Sequence, residues 1–153
     1  MNPFPREGRI AAVDYGQVRV GLAITDAAQS ISSPYENYQR RNTDDDAAYF
    51  REFVVEEQVV GLVVGLPVHP SGDESEKSKE ARRYGDWLAD VTGVPVRFYD
   101  ERYSSAAAER FLAIGGLTSK QRKKRRDMLA AQIILSAYLE SPRTGEESTD
   151  SLE

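Results

Sequence analysis

The chain of 153 residues contains no cysteine and a single histidine, His69. Without cysteine it can form neither a disulfide nor a thiolate metal site, and one histidine excludes zinc sites that need several imidazole ligands. A Ser-His-Asp triad would depend on His69 alone. Any bound metal must therefore be held mainly by oxygen.

Long apolar runs are also missing. No stretch approaches the roughly 20 apolar residues that a helix needs to cross a bilayer. Residues 1–8 lack the apolar core of a signal peptide. The sequence therefore predicts a soluble, cytoplasmic protein with no membrane partner.

The formal charge is acidic but unevenly distributed. The net charge is −5, and residues 143–153 contribute −3 of it, with one arginine and four acids. This Ser-, Thr- and Glu-rich segment predicts a disordered tail after a single folded domain over residues 1–142. Residues 120–126 instead hold six cations in seven positions. Such a patch can bind phosphate even on an acidic protein.

The first part of the chain predicts an antiparallel meander of three strands. Arg9–Asp14 is rich in β-branched and apolar residues, and a second strand begins near Val18 after a turn at residues 14–17. A third strand is predicted over Ser30–Arg40. Pro34 places that strand at a sheet edge or a bulge, because proline donates no ladder hydrogen bond.

The remaining pattern alternates helices and strands. The predicted elements are a helix over Asp44–Glu57 with Thr43 or Asp44 as N-cap, a buried strand over Val59–Leu66, a helix capped by Ser75 or Ser78 and ending at Gly93, a strand over Val94–Tyr99, a helix capped by Ser104 or Ser105, and a final helix after the basic segment. This order predicts an α/β fold. Its mixed five-stranded sheet joins a three-stranded meander to two parallel strands and is flanked by helices.

Acidic side chains follow two of the predicted strands. Asp14 ends the first strand, and Asp100 and Glu101 follow the last. If these strands are neighbours, their ends converge. A third acid, Asp127, precedes Ala131 by four residues on the apolar stripe of the final helix. Each acid alone also has a structural interpretation: Asp14 as a turn residue, Asp127 as the partner of a nearby arginine or of the helix dipole.

Together the acids would form a cluster of like charges that repel unless a divalent cation is bound. Oxygen ligands without histidine or cysteine favour Mg²⁺ or Mn²⁺. Two such ions about 4 Å apart support phosphodiester cleavage by water in known nucleases. The acids therefore predict a metal-dependent hydrolytic site.

Four blocks, in this order, resemble the YqgF (RuvX) family, which has a ribonuclease H-like fold related to the RuvC resolvases. The blocks are Asp14-Tyr-Gly-Gln-Val-Arg-Val-Gly-Leu-Ala23, Val64-Gly-Leu-Pro67 with its glycine-containing loop, Asp100-Glu-Arg102, and Asp127-Met-Leu-Ala-Ala131. They extend over nearly the whole folded part. The chain departs from the family pattern where Ser71 precedes Gly72, since relatives more often have Asn there, and where Ser104-Ser105 replace a Thr.

The resemblance implies that Asp14, Glu101 and Asp127 are catalytic acids that bind two Mg²⁺ or Mn²⁺ ions. It further implies a nuclease that processes the 5′ end of precursor 16S ribosomal RNA, with the small-subunit precursor as partner. Resolution of Holliday junctions, a form of branched DNA, is the alternative activity. The protein would be a monomer or a weak homodimer.

Several cations could contact the nucleic acid. Arg19 and Arg102 flank the acids and either hold phosphate oxygens or pair with the acids when metal is absent. The cations of the basic run either contact phosphates or form a solvated face; the residues concerned are Lys120, Lys123, Lys124, Arg125 and Arg126. Tyr15 either stacks on a base or packs in the interior, and His69 is either a proton shuttle or an ordinary loop residue.

Three other function classes share features of this sequence. A junction endonuclease needs a symmetric dimer, and no stretch of the sequence indicates a dimer interface. A catalytically weak nucleic-acid-binding assembly factor would keep the fold, although the three intact acids argue against it. An ATP-binding protein of the actin and sugar-kinase type needs a second lobe, for which the chain is too short.

Overall fold

The computed structural model describes residues 4–67, 75–101 and 118–141, except for the side chains of residues 122–128. In these residues the chain forms five strands and three helices. The elements are β1 (Arg9–Asp14), β2 (Arg19–Thr25), β3 (Ser32–Gln39), α1 (Thr43–Glu56), β4 (Val59–Leu66), α2 (Glu76–Thr92), β5 (Val96–Asp100) and α3 (Ser119–Glu140).

The five strands form one mixed sheet in the order β3-β2-β1-β4-β5. The β1–β2 and β2–β3 pairs are antiparallel, whereas β4 is parallel to both β1 and β5. This confirms the predicted sheet. Pro34 lies on the edge strand β3, where the register with β2 shifts between Leu22 and Ala23. The proline therefore occupies both of its predicted settings, an edge and a bulge.

Side chains alternate between the two faces of the sheet, and each face is covered by helices. Ala11 and Val13 of β1 belong to the core that includes residues of α1 and α2. Ile10 and Ala12 belong to the core that includes residues of α3. The sheet is thus the middle layer of three.

The start of α1 differs from its prediction by one residue. Asn42, and not Thr43 or Asp44, is the N-cap, and its side chain accepts a hydrogen bond of 2.8 Å from the backbone N–H of Asp45. Asn42 also keeps the extended backbone of a cap residue, so helical geometry begins at Thr43.

Single residues also set the two ends of α2 and the start of β5. Ser75 is confirmed as the cap of α2, and Gly93 ends the helix in the left-handed region with φ 76°. β5 begins at Val96 and not at the predicted Val94. Pro95 has no N–H to donate to the ladder, and it contributes only its carbonyl, which accepts from Leu62 N–H at 2.9 Å.

The basic run lies inside the last helix and does not lead into it. α3 begins at Ser119 and is capped by Thr118, which forms a reciprocal capping box with Gln121. The predicted helix capped by Ser104 or Ser105, the loop with His69, and the acidic tail lie outside the described residues. Within the described part of the chain, no helix is long and apolar enough to cross a membrane.

Candidate metal and catalytic site

The carboxyl ends of three parallel strands meet at one edge of the sheet. β1 ends at Asp14, and Glu101 directly follows β5. The two strands are not neighbours, because β4 lies between them and pairs with both. The acids therefore converge across the end of β4.

Gly65 of β4 leaves the space that the Glu101 side chain occupies. A Cβ atom placed on Gly65 would lie 2.6 Å from Oε2 of Glu101 and 2.7 Å from Cδ1 of Ile134 in α3. Neither distance is compatible with a side chain unless its neighbours move. The Glu101 carboxylate thus lies directly over a glycine backbone, between the sheet and α3.

Asp14 lies on the same face of the sheet. It is paired with Gly21 of β2, and a Cβ on Gly21 would lie 3.5 Å from Cβ of Asp14 and 3.7 Å from Cβ of Ala131 in α3. These distances are ordinary van der Waals contacts. Asp14 and Glu101 therefore occupy the layer between the sheet and the last helix.

Two neighbouring acids, Asp14 and Asp100, act on the carboxyl group of Glu101. The pKa of Glu101 is raised to about 7, chiefly by burial, then by the charge of Asp14, with a smaller contribution from Asp100. Lys77 at the start of α2 acts in the opposite direction. Glu101 is therefore poised to change its protonation near neutral pH unless a cation neutralises the site.

The third predicted acid, Asp127, lies in the last helix. Position 127 lies in α3, one turn before Ala131, whose side chain packs against the sheet. The Asp127 side chain is outside the described part, so its place in the cluster stays a prediction. Among the side chains that are described, no group of three or more His, Cys, Asp or Glu residues could hold a metal ion.

The described part of the site nevertheless fits a hard divalent cation. Its donors are carboxylate oxygens, which repel each other more strongly because they are partly buried. Gly65 leaves room beside Glu101. A cation at this position would relieve the repulsion that raises the pKa of Glu101. Asp14 and Glu101 are the two described residues that could hold it.

The predicted cations fall in three groups. Arg19 is exposed at the start of β2, two residues before Gly21 and thus on the face that carries Asp14. Lys120 is exposed in the first turn of α3. Arg102 lies outside the described residues; the other predicted cations occupy positions of α3 whose side chains are not described, namely Lys123, Lys124, Arg125 and Arg126.

Sequence reasoning missed one residue near the site and left another undecided. It assigned no role to Lys77, since a lysine on a helix gives no signal without knowledge of the fold. It also left Tyr15 undecided. The Tyr15 ring packs on Tyr84 at a centroid distance of 5.1 Å, and its hydroxyl donates to Glu80 at 3.2 Å. Tyr15 therefore points away from the acids, to the opposite face of the sheet.

Comparison with protein families gives one match over almost the whole described chain. Residues 8–141 match the family model RuvX, described as "Holliday junction resolvase". A protein of Rhodopirellula baltica is 44% identical over 140 residues, which cover 92% of this chain and 81% of the relative. One of Koribacter versatilis is 35% identical over 138 residues, covering 90% of each chain. Both relatives carry the name "Putative pre-16S rRNA nuclease".

Comparison with solved structures identifies the fold. RuvC of Thermus thermophilus, solved in complex with a Holliday junction substrate, superposes with a TM-score of 0.52 at 15% identity and covers 85% of this chain and 94% of that one. The yeast mitochondrial Holliday junction resolvase Ydc2 superposes with a TM-score of 0.53 at 10% identity, covering 90% of this chain and 80% of that one. The chain has the ribonuclease H-like fold of these resolvases.

Proposed function

The chain belongs to the RuvX family, and we propose that it is a divalent-metal-dependent nuclease of the cytoplasm whose substrate is the 5′ region of precursor 16S ribosomal RNA. One structural observation carries the proposal. The carboxylate of Glu101 lies over Gly65, and Asp14, at the end of a different strand, is close enough for its charge to help raise the pKa of Glu101. Two like-charged carboxylates that are partly buried lower the stability of the folded state unless a cation neutralises them.

Asp14, Glu101 and Asp127 would hold the metal, as Mg²⁺ or Mn²⁺ and as one or two ions. When bound, such ions polarise a phosphodiester and activate water for hydrolysis. The chain contributes the placement of the carboxylates. Gly65 admits the Glu101 side chain, and Ile134 and Ala131 of α3 close the pocket from the other side.

The surroundings of the site favour a polyanionic substrate. Arg19 is exposed on the face that carries Asp14, where it can hold a phosphate oxygen. The first turns of α3 contain the cations of the basic run, beginning with Lys120. Cations at a helix N-terminus oppose the helix dipole, so they do not stabilise the helix there. The same N-terminus and the cations together attract phosphate.

The choice between RNA and branched DNA rests on the relatives. The curated relatives carry the name of a pre-16S rRNA nuclease, and this supports RNA. The description of the family model supports the alternative, a structure-selective junction endonuclease. That alternative needs a symmetric dimer to cut two strands, whereas a monomer suffices for trimming RNA.

The deciding experiment compares two substrates side by side. End-labelled precursor 16S leader RNA and a four-way DNA junction are incubated with the protein and Mn²⁺ or Mg²⁺, and with EDTA. We expect metal-dependent cutting of the RNA, abolished in Asp14→Asn and unchanged in Asp90→Asn, which removes an exposed acid from α2. Paired cuts in the junction alone, by a protein that elutes as a dimer, would establish the resolvase instead.

The same assay tests the assignment of the acids. If neither substrate is cut, the nuclease proposal is wrong and a nucleic-acid-binding assembly factor takes its place. If Asp14→Asn cuts as well as the parent, the catalytic site lies elsewhere. Glu101→Gln and Asp127→Asn extend the test to the other two acids.

A further inference from the structure

A second cavity lies on the opposite face of the sheet from the acids. It has a volume of about 510 Å³ and lies between the turn that follows β1 and the helices α1 and α2. Its walls include Tyr15 and Trp87, with Arg40 and Glu80 among its polar residues. Because Tyr15 directly follows Asp14, the cavity begins one residue from the candidate site.

Flat aromatic rings form one part of this cavity. The Tyr84 ring lies 5.1 Å from that of Tyr15 and 5.3 Å from that of Trp87, measured between centroids. The Arg40 guanidinium lies 5.0 Å from the Tyr84 ring centre, and it donates a hydrogen bond of 2.9 Å to the carbonyl of Gly16. Arg40 thus joins the cavity to the turn that positions Asp14.

One residue of the lining, Tyr84, carries a deeply buried hydroxyl. Tyr84 is 8% exposed, and its hydroxyl has no hydrogen-bond partner among the residues that the structure describes. The oxygen has less than 1 Å² of exposed surface, so a ligand in the cavity would reach it only if the ring moved. The unpaired group lowers the stability of the fold whether or not a ligand is bound. At the rim, the Glu80 carboxylate accepts from Tyr15 and from Gln17, each at 3.2 Å.

The charges argue for a neutral, flat ligand and not for a phosphate. Arg40 and Arg83 are balanced by Asp46 and Glu80 within the same lining, and Arg40 lies 4.0 Å from the Asp46 carboxylate. A nucleobase stacks on aromatic rings and offers several hydrogen-bonding groups to the guanidinium and the carboxylate of this lining. A cavity of this size is within the range of small-molecule sites.

We propose that this cavity binds an unpaired nucleobase of the substrate strand, next to the bond that is cut. The inference rests on the proposed nuclease function, because that function brings a nucleic acid strand to Asp14. In the turn after β1, the Asp14 side chain would then face the phosphodiester, and the Tyr15 side chain would face a base. Binding there would anchor the strand and restrict where it is cut.

Trp87 is the only tryptophan in the sequence and lines the cavity, so its fluorescence reports binding there. The full-length protein is titrated in EDTA with an eight-nucleotide single-stranded RNA, with adenosine 5′-monophosphate and with ribose 5-phosphate. We expect saturable quenching of Trp87 fluorescence by the RNA, weaker binding of the mononucleotide by tenfold or more, and no saturable quenching by ribose 5-phosphate. Equal quenching by ribose 5-phosphate, or none by any probe, would overturn the base pocket. A mononucleotide that binds as tightly as the RNA would overturn its assignment to the substrate strand.

Two substitutions in α2 sharpen the test. Glu80→Gln removes the charge of the carboxylate that contacts Tyr15 and Gln17, so we expect about fivefold weaker RNA binding. Glu76→Gln, at an exposed acid one helical turn away, should not weaken it. Tyr84→Phe removes only the buried hydroxyl and keeps the ring, so RNA binding should stay near the parental value while the melting temperature rises. Unchanged RNA binding in Glu80→Gln would overturn the role of this carboxylate in holding the base.

The outcome separates this inference from the proposed function. Saturable Trp87 quenching in EDTA without any metal-dependent cleavage would remove the nuclease and leave a base-binding site. Cleavage that depends on metal and Asp14, without quenching at Trp87, would keep the nuclease and remove the base pocket.

Discussion

The Oε2 atom of Glu101 lies where a side chain at Gly65 would have to be, 2.6 Å from the position of its Cβ atom. Gly65 belongs to β4, and Glu101 directly follows the last residue of the neighbouring parallel strand β5. The absence of a side chain at Gly65 is therefore what allows the carboxylate of one strand to reach over the next towards Asp14.

This relationship predicts that Gly65→Ala damages the site more than the fold. The new methyl group would displace the ends of Glu101 and Ile134, which are movable side-chain tips. We expect a loss of about 1–3 kcal/mol in the free energy of unfolding, typical of overpacking, and cleavage activity reduced at least tenfold. Urea unfolding and the RNA cleavage assay measure the two effects.

Gly21→Ala is the matched control, because Gly21 is also a strand glycine beside one of the acids. Its added Cβ would meet Asp14 at 3.5 Å and Ala131 at 3.7 Å, both ordinary contacts. We expect near-parental stability and activity. If Gly21→Ala lost as much activity as Gly65→Ala, the specific role of Gly65 would be wrong.

The raised pKa of Glu101 predicts a pH-dependent stability of the metal-free protein. Its value of about 7 in the fold exceeds the ordinary value of 4.5, so the folded state binds this proton more tightly than the unfolded state. The stabilisation from this group is complete below pH 4.5 and is lost as the pH rises through about 7. In EDTA, Glu101→Gln should match the parent in urea unfolding at pH 4 and exceed it at pH 8.

The affinity for metal should increase with pH, in contrast to the stability that Glu101 contributes to the metal-free protein. A divalent cation competes with the proton on Glu101, so Mn²⁺ affinity measured by calorimetry should increase between pH 6 and pH 8. Proton release on binding, seen as a dependence of the heat on buffer, should accompany it near pH 7. Affinity that is flat over this range would contradict a role for Glu101 as ligand.

The strand-end acids illustrate how far the sequence can predict the site. Asp14 and Glu101 each follow a run of apolar residues, and strands that point the same way end at the same edge. Their separation by β4 was not predictable, because strand order depends on long-range pairing that no local pattern encodes. The importance of Gly65 follows from that order and was therefore missed as well.

Physical causes also explain which predicted element boundaries were right and which were wrong. The bounds of β4 were predicted correctly, since an apolar run buried on both faces ends sharply at Pro67. The start of α1 was missed by one residue because Asn42, Thr43 and Asp44 are all good N-cap types, and only backbone geometry distinguishes them. β5 begins at Val96 and not at Val94, because Pro95 has no N–H to donate to the ladder.

The cap of α1 gives a prediction about stability alone. Asn42→Ala removes the side-chain oxygen that accepts from Asp45 N–H at 2.8 Å, so we expect a loss of about 1 kcal/mol in the free energy of unfolding. Thr43→Ala, at the first helical position, should cost clearly less. Comparable losses in the two variants, measured by urea unfolding, would show that Asn42 is not the main cap.

The basic run predicts a salt-dependent affinity for RNA. Each phosphate contact on a single strand contributes about −0.7 to the slope of log K against log salt concentration. Lys123→Gln together with Lys124→Gln should reduce the slope by about 1.4 if both contact phosphates. Fluorescence anisotropy of labelled RNA in EDTA measures this. Lys79→Gln on α2, where the lysine pairs with Glu76 at 3.8 Å, should leave the slope unchanged.

The charge repulsion at the site implies a conflict between function and stability that Asp14→Asn should reveal. Asp14 raises the pKa of Glu101, so the fold carries two acids that oppose each other when no metal is bound. Replacing one charge with an isosteric amide should raise the melting temperature of the metal-free protein at pH 8 and abolish cleavage. Functional sites commonly lower stability in this way.

Calorimetric unfolding with EDTA and with Mn²⁺ separates this effect from a general one. The parent should gain several degrees from Mn²⁺, because a cation relieves the repulsion and binds only the folded state. Asp14→Asn should start higher and gain little, whereas Asp90→Asn should behave as the parent does. A variant that starts lower and still responds to Mn²⁺ would mean that Asp14 supports the turn and not the metal, which would favour the structural interpretation of this aspartate.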